Sequence, residues 1–167
     1  MIKNIVLIGF MGAGKSVAAQ ELKKRLNRKV VSTDAAIEAQ EGRPITDIFR
    51  DSGEEYFRRL ERDCVVKLSE QSNLIMDCGG GIFLDPQNIL QLKKSGIVFY
   101  LSASPETIEA RTKGTKHRPL LNTADSKSVI VELLAKRKPY YEQADYVIDT
   151  DHKTNEQVCD EIEDIIP

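Results

Sequence analysis

The run Gly9-Phe10-Met11-Gly12-Ala13-Gly14-Lys15-Ser16 constrains this chain more than any other stretch. It fits the pattern G-x-x-x-x-G-K-[ST], and both flanks match what that pattern needs. Before it, Asn4-Ile5-Val6-Leu7-Ile8 is a short apolar run that reads as a buried parallel strand. After it, Ala18, Leu22 and Leu26 recur at helical spacing, which predicts a helix over 15–27. Strand, glycine-rich turn and helix together make a phosphate-binding loop. The glycines let backbone N–H groups turn inward around an anion, and the helix start adds unpaired donors and its positive dipole end. Lys15 is placed to reach the outer phosphates of a nucleotide, and Ser16 to touch Mg²⁺.

The rest of the composition narrows the class. At 167 residues the chain suits one domain with a proper core. A formal net charge of −2 provides no global basic field, so nucleic acid is not implied. Cys64, Cys78 and Cys159 are scattered without metal-ligand spacing. An odd number of cysteines with no C-x-x-C reads as reduced thiols acting as small buried hydrophobes, as expected of a cytoplasmic protein. The first apolar run is too short for a signal peptide and leads into the glycine loop. No stretch approaches the roughly 20 apolar residues of a membrane span. A cytoplasmic protein that binds neither membrane nor nucleic acid is the expectation.

Strand and helix patterns alternate along the chain. Strands are predicted at Ile5–Ile8, Lys29–Thr33, Leu74–Cys78, Ile97–Leu101 and Tyr146–Ile148. Helix starts are signalled by Ser52 with Glu55 and by Thr154 with Gln157, both capping boxes. Asp85-Pro86 and Ser104-Pro105 each place a capping side chain before a proline at the first helical position. Such alternation predicts an α/β fold with a parallel sheet covered on both faces, with ligands at the C-terminal ends of its strands. Thr112–Ser126 breaks the pattern. It is polar, basic at its start, and holds Gly114 and Pro119. A connection this long is either a surface loop or a lid, and the phosphate loop favours a lid.

Phosphoryl transfer needs charge neutralisation, positioning and exclusion of water. Charged and glycine-rich segments at the strand ends are therefore the candidates. Asp34 follows the second strand, where it would accept a proton from an attacking hydroxyl or cap the next helix. Gly79-Gly80-Gly81 follows the third strand, either admitting a ligand close to the backbone or making a tight turn. Arg58 lies beside an apolar stripe of Phe57, Leu60, Cys64 and Leu68 and shares a face with Arg62. Arg118 lies in the candidate lid, and Arg137 late in the helix before the last strand. Arginines near separate strand ends suit a bidentate grip on carboxylate or phosphate; the alternative is solvated surface charge.

With these residues in view, the chain resembles shikimate kinases, small members of the nucleoside-monophosphate-kinase-like group. The resemblance is carried by G-F-M-G-A-G-K-S at 9–16, T-D-A-A-I-E at 33–38, G-R-P-I-T-D-I-F at 42–49 and G-E-E-Y-F-R-R-L-E at 53–61. G-G-G at 79–81, H-R-P-L-L at 117–121 and A-K-R-K-P-Y-Y at 135–141 complete it. It implies a monomeric three-layer α/β/α kinase, a single domain over 1–167, with a five-stranded parallel sheet in the order 2-3-1-4-5 and a lid at about 112–126. It implies ATP-dependent phosphorylation of the 3-hydroxyl of shikimate, with Mg²⁺, on the way to chorismate and the aromatic amino acids. Gly12, Ala13, Gly14, Lys15, Ser16 and Val17 would hold ATP. Arg111 and Lys153 would lie near adenine, and Arg118 would close over the phosphates. Asp34 would take the substrate hydroxyls and act as base. Arg58 and Arg137 would bind the carboxylate, beside the backbone of Gly79, Gly80 and Gly81. Lys15, Asp34 and Arg118 would be the catalytic set. The final helix, Thr154–Ile166, is expected to serve packing only.

Two positions depart from the family pattern. An Asp-x-Asp is usual after the second strand, its first acid helping to hold the Mg²⁺ water shell; here the stretch is Ser32-Thr33-Asp34. A small or hydroxylated residue is usual two positions before the triple glycine; here it is Asp77. An apolar strand ending in aspartate is the metal-holding arrangement of other phosphate-loop enzymes. The expectation is that the acid has moved, so that Ser16 and Asp77 form the metal site. Capping of the glycine turn is the competing role for Asp77. Two other functions stay open: a related kinase for another small acid such as gluconate, and a catalytically silent nucleotide-binding module, which only Ser32 invites.

Overall fold

Five strands form one parallel sheet: β1 (Asn4–Ile8), β2 (Lys29–Ser32), β3 (Leu74–Asp77), β4 (Gly96–Ser102) and β5 (Tyr146–Asp149). Their spatial order is β2-β3-β1-β4-β5, as the family pattern implied. The structure, a computed structural model, describes residues 3–114 and 126–167. Helices connect the strands: α1 (Lys15–Leu26), α2 (Thr33–Glu41), α3 (Ile45–Ser69), α4 (Pro86–Ser95), α5 (Pro105–Thr112), α6 (Ser126–Tyr141) and α7 (Asn155–Ile165), with a short 3₁₀ turn at Ile82–Leu84.

The central strand shows why the fold has three layers. All five residues of β1 are buried, and their alternation sends neighbours to opposite faces. Val6 and Ile8 join a core built with Phe57, Leu60 and Val65 of α3, Leu92 of α4 and Ile130 of α6. Ile5 and Leu7 join a second core with Ala18, Ala19 and Leu22 of α1 and Val158 and Ile162 of α7. The final helix packs, but not only that: its Asn155 and Val158 also border the cleft described below. Cys64 and Cys78 sit in the first core and Cys159 in the second. All three are unpaired thiols.

Several helix starts follow the sequence signals. Asp85 accepts from the Gln87 N–H, Ser104 from the Thr107 N–H, and Thr154 with Gln157 forms a full capping box. Two expectations fail. Ser52 does not open α3, which starts at Ile45, although a helical segment resumes just past it, after a kink at Gly53. Gly53 breaks that helix with φ 81° and ψ 171°, and the Ser52 hydroxyl accepts from Arg43 Nη2 at 2.8 Å. Nor is Asp34 the cap of α2. Ser32 holds that position and accepts from the Ala35 N–H, which leaves the Asp34 carboxylate in the first turn for other work.

Strand register sets up the site. Ser32 and Asp77 are paired neighbours at the ends of β2 and β3, and Leu7 pairs with Asp77 on the other side. The chain leaves β1, β2 and β3 at one edge of the sheet, so the phosphate loop, Asp34 and the triple glycine converge there. The lid expected at 112–126, including Arg118, lies outside the described residues apart from 112–114 and 126.

Candidate active site

A cleft of about 1140 Å³ opens along this edge. Every expected site residue that the structure describes borders it: Gly12 to Val17, Asp34, Arg58, Asp77, Gly79 to Gly81, Arg111, Arg137 and Lys153.

At one end the loop 9–16 leads into α1. Gly14 takes the cap position in the left-handed region (φ 93°), and no side chain caps the helix or places acid in its first turn. The first N–H groups of α1 therefore remain for an outside anion. Lys15 Nζ folds back over its own loop, donating to Gly9 O at 2.9 Å and Phe10 O at 3.1 Å. Arg111 ties the loop to the end of β5. It donates to Gly12 O at 3.3 Å, to Thr150 Oγ1 at 3.1 Å and to Thr150 O at 3.1 Å. Lys153 lines the same end and pairs with Glu161 at 2.6 Å. Ser16 Oγ donates to Asp77 Oδ2 at 2.5 Å. Asp77 thus faces the phosphate loop instead of capping the glycine turn behind it.

At the other end the triple glycine forms the wall. A Cβ on Gly79 would lie 2.5 Å from Asp34 Oδ1, one on Gly80 would lie 3.3 Å from Arg137 Nη1, and one on Gly81 would lie 2.5 Å from Arg58 Nη1. Each glycine backbone is the floor under one charged side chain, and at two of the three positions a Cβ would force that side chain to move. The turn is fastened on both sides. Gly79 N–H donates to Thr33 Oγ1 at 2.9 Å, and Tyr141 Oη donates to Gly80 O at 2.6 Å.

Charge is balanced closely here. Burial pushes the Asp34 carboxyl up; Lys15 pulls it down, while Asp77 and Glu38 push it further up. Burial alone would lower the Arg58 guanidinium, but Glu61 and Glu54 hold it above its ordinary value. Arg58 Nη1 meets Glu61 Oε2 at 2.6 Å, and Glu61 is only 2% exposed. Burial raises the Glu61 carboxyl, against the pull of Arg58. Arg137 lies 5.4 Å over the Phe10 ring. Arg62, expected on the face of Arg58, turns away to pair with Asp85 at 3.0 Å.

Sequence reasoning gave Glu61 and Glu38 no role, although both sit inside quoted motifs. Glu38 accepts from the Ile45 N–H at 2.9 Å, supplying the cap that Pro44 cannot give α3. It lies four residues after Asp34, on the same helix face. Glu61 lies three residues after Arg58, a spacing that signals an ion pair. No pattern signalled that this pair would be buried.

A family model described as shikimate kinase matches residues 11–167. The chain belongs to the shikimate kinase family. A shikimate kinase of Caldanaerobacter subterraneus subsp. tengcongensis is 44% identical over 96% of this chain and 94% of its own length. One from Dehalococcoides mccartyi (strain 195) is 46% identical over 96% of this chain and 92% of its own. A solved shikimate kinase from Acinetobacter baumannii, in complex with shikimate, superposes with a TM-score of 0.92 at 34% identity, covering 99% of this chain and 93% of that one. Shikimate kinases are thus similar to this chain in sequence and in fold, and the family match at 11–167 spans the residues that border the cleft.

Proposed function

We propose that this chain transfers the γ-phosphoryl group of ATP to the 3-hydroxyl of shikimate, giving shikimate 3-phosphate for chorismate and aromatic amino acid synthesis. One observation carries the reading: Asp34, Arg58 and Arg137 each stand over a different glycine of one turn, in the cleft that also holds the phosphate loop. Two guanidinium groups suit a carboxylate, and a carboxylate suits the hydroxyls of a polyol. A ring carrying both groups can lie flat only where the wall has no side chains. The matching relatives and the shikimate complex of the Acinetobacter protein support the same substrate.

In this reading the acceptor carboxylate sits between Arg58 and Arg137. Asp34 holds the reacting hydroxyl and takes its proton as the oxygen attacks phosphorus. Gly12 to Val17 cradle the phosphates with backbone N–H groups, and Lys15 swings from its loop carbonyls onto the outer phosphates. Arg111 and Lys153 border the base. Arg118 is assigned to the transferring group on the resemblance alone. The enzyme acts as a monomer in the cytoplasm. Among the described residues no helix is long and apolar enough to cross a membrane.

The residues also fit Mg²⁺. Among the described residues no group of three or more His, Cys, Asp or Glu could hold a metal. An ion that keeps several waters and takes substrate phosphates needs only one or two protein oxygens. Ser16 Oγ and Asp77 Oδ2, already 2.5 Å apart, supply them. When bound, Mg²⁺ neutralises charge on the phosphates. Asp77 takes over the acid missing at Ser32.

An ADP-release assay with ATP and Mg²⁺ against shikimate, quinate and gluconate tests the substrate. Shikimate is expected to dominate; a gluconate preference, or nucleotide and shikimate binding without ADP release, would refute the reading. Asp77→Asn is expected to raise the Mg²⁺ half-saturation for ADP binding, followed calorimetrically, on the order of 10- to 100-fold. Ser32→Asp with Asp77→Ser is expected to restore it largely. An unchanged Mg²⁺ dependence in Asp77→Asn would refute the relocated acid alone.

A further inference from the structure

Tyr141 lies at the end of α6, four residues after Arg137 and outside the roles given above. Its ring is 1% exposed and stacks on Tyr100 of β4, with centroids 4.9 Å apart and planes at 22°. That stack fixes where the phenol can go. Its hydroxyl donates to Gly80 O at 2.6 Å. Burial raises the phenol, and the neighbouring Arg137 guanidinium acts against that rise by its charge and a hydrogen bond. A Cβ on Gly80 would lie 3.3 Å from Arg137 Nη1 and 3.7 Å from Tyr141 Oη, so the guanidinium and the buried hydroxyl share one side of that glycine.

The contact with Gly80 has a geometric consequence. No cis peptide bond occurs among the described residues, so the Gly80 carbonyl and the Gly81 N–H point in opposite directions from one rigid plane. Anchoring the carbonyl on the phenol turns the Gly81 N–H away from Tyr141, and Gly81 itself borders the cleft. Neither Gly80 N–H nor Gly81 N–H has a hydrogen-bond partner among the described residues. Glycine pairs are the peptides most able to flip, because both flanking residues reach most of backbone space. Something outside the turn has to choose the orientation.

We infer that Tyr141 is a positioning residue of the acceptor site: its hydroxyl locks the Gly80–Gly81 peptide with the Gly81 N–H presented to the acceptor, and holds Arg137 alongside. The inference rests on the shikimate reading above. Tyr141→Phe keeps the ring and the Tyr100 stack and removes only the anchor. Losing one oriented contact in a buried site corresponds to about a tenfold change. The KM for shikimate is expected to rise by about that factor, with the KM for ATP changed by less than about twofold. A purely structural hydroxyl would lower the melting temperature and leave the shikimate KM in place, which would overturn the inference. An equal rise in both KM values would overturn it as well, since that marks general loosening.

A measurement on the unaltered protein covers the case in which Tyr141→Phe does not fold. With uniform ¹⁵N labelling, the Gly81 amide proton is expected to move on adding shikimate without nucleotide. A Gly81 resonance unmoved at saturating shikimate would refute the positioning role. Failure of the functional reading looks different, because the unaltered protein would then release no ADP with shikimate.

Discussion

Gly79→Ala puts the acceptor site to a direct steric test. The added Cβ would lie 2.5 Å from Asp34 Oδ1, 3.2 Å from Asp34 Cγ and 3.4 Å from Oδ2. Ordinary carbon contacts lie near 3.5 Å, so the nearer oxygen has to retreat by about 1 Å. The backbone cannot supply that retreat cheaply. Thr33, next to Asp34, is buried and accepts the Gly79 N–H at 2.9 Å, so separating the segments would break that bond. The Asp34 side chain must rotate instead, at a cost of about 0.5–1.5 kcal/mol in stability. Gly79 is not among the positive-φ glycines, so alanine adds no backbone strain to confuse the result. A base displaced by about 1 Å loses on the order of 100-fold in rate, or about 2.7 kcal/mol. The assay is coupled ADP release with shikimate and ATP varied in turn, beside thermal melts. We expect kcat/KM for shikimate to fall about 100-fold while the KM for ATP holds. In an Asp34→Ala background the same change is expected to add almost nothing, since the partner it displaces is gone. A Gly79→Ala enzyme within about threefold of the parent, or full additivity with Asp34→Ala, would refute the placement of Asp34 as base.

Three further outcomes follow from the same geometry. Glu61→Ala removes the buried partner of Arg58 and leaves it the exposed Glu54; it is expected to destabilise by roughly 3 kcal/mol by urea unfolding and to raise the shikimate KM, and a loss under about 1 kcal/mol would contradict a buried pair. Asp34→Asn is expected to raise the melting temperature at pH 7 but not at pH 4. Burial lifts the folded-state carboxyl above its unfolded value, so its stabilising proton is present at low pH and lost as pH rises through the folded value; an equal gain at both pH values would contradict this. Thr154→Ala removes a full capping box beside Lys153 and Asn155, which border the nucleotide end of the cleft, and is expected to cost about 1 kcal/mol in urea unfolding with the KM for shikimate unchanged.

Much of this was legible because local signals and global fold agree. The phosphate loop, the alternation of apolar strands with capped helices, and the family motifs together fixed the sheet order and brought Asp34, Arg58, Arg137 and the triple glycine to one edge. What stayed hidden was tertiary in origin. Ser52-x-x-Glu55 has the residues of a capping box, but Glu38 starts α3 earlier from a different helix, and no local pattern reports a cap supplied across a turn. Arg58 and Arg62 are equivalent by helical spacing. Only the position of α4 sends Arg62 to Asp85 and leaves Arg58 for the cleft. The anchoring by Tyr141 joins residues 61 apart in sequence, beyond the reach of any periodicity.

The same agreement bears on the proposed relocation of the metal-binding acid from position 32 to Asp77. Ser32 and Asp77 are register partners on adjacent strands, so the exchange moves the carboxylate by about one strand spacing, ~4.8 Å. Ser16 faces that strand end and follows the acid with a single hydrogen bond to Asp77. On that proposal Ser32 takes no part in metal chemistry, and its hydroxyl caps α2 at the Ala35 N–H. That cap sits two residues before Asp34 and steadies the turn from which the base projects. Restoring aspartate at 32 would keep a capping oxygen there, since aspartate caps as well as serine, but would crowd a third carboxylate beside Asp34 and Asp77. Asp34 is already raised by burial and by Asp77, so the added charge would push it further up. Ser32→Asp alone is therefore expected to impair the enzyme, and the paired change with Asp77→Ser to relieve it. That sign pattern is what one acid shared between two neighbouring strand ends requires.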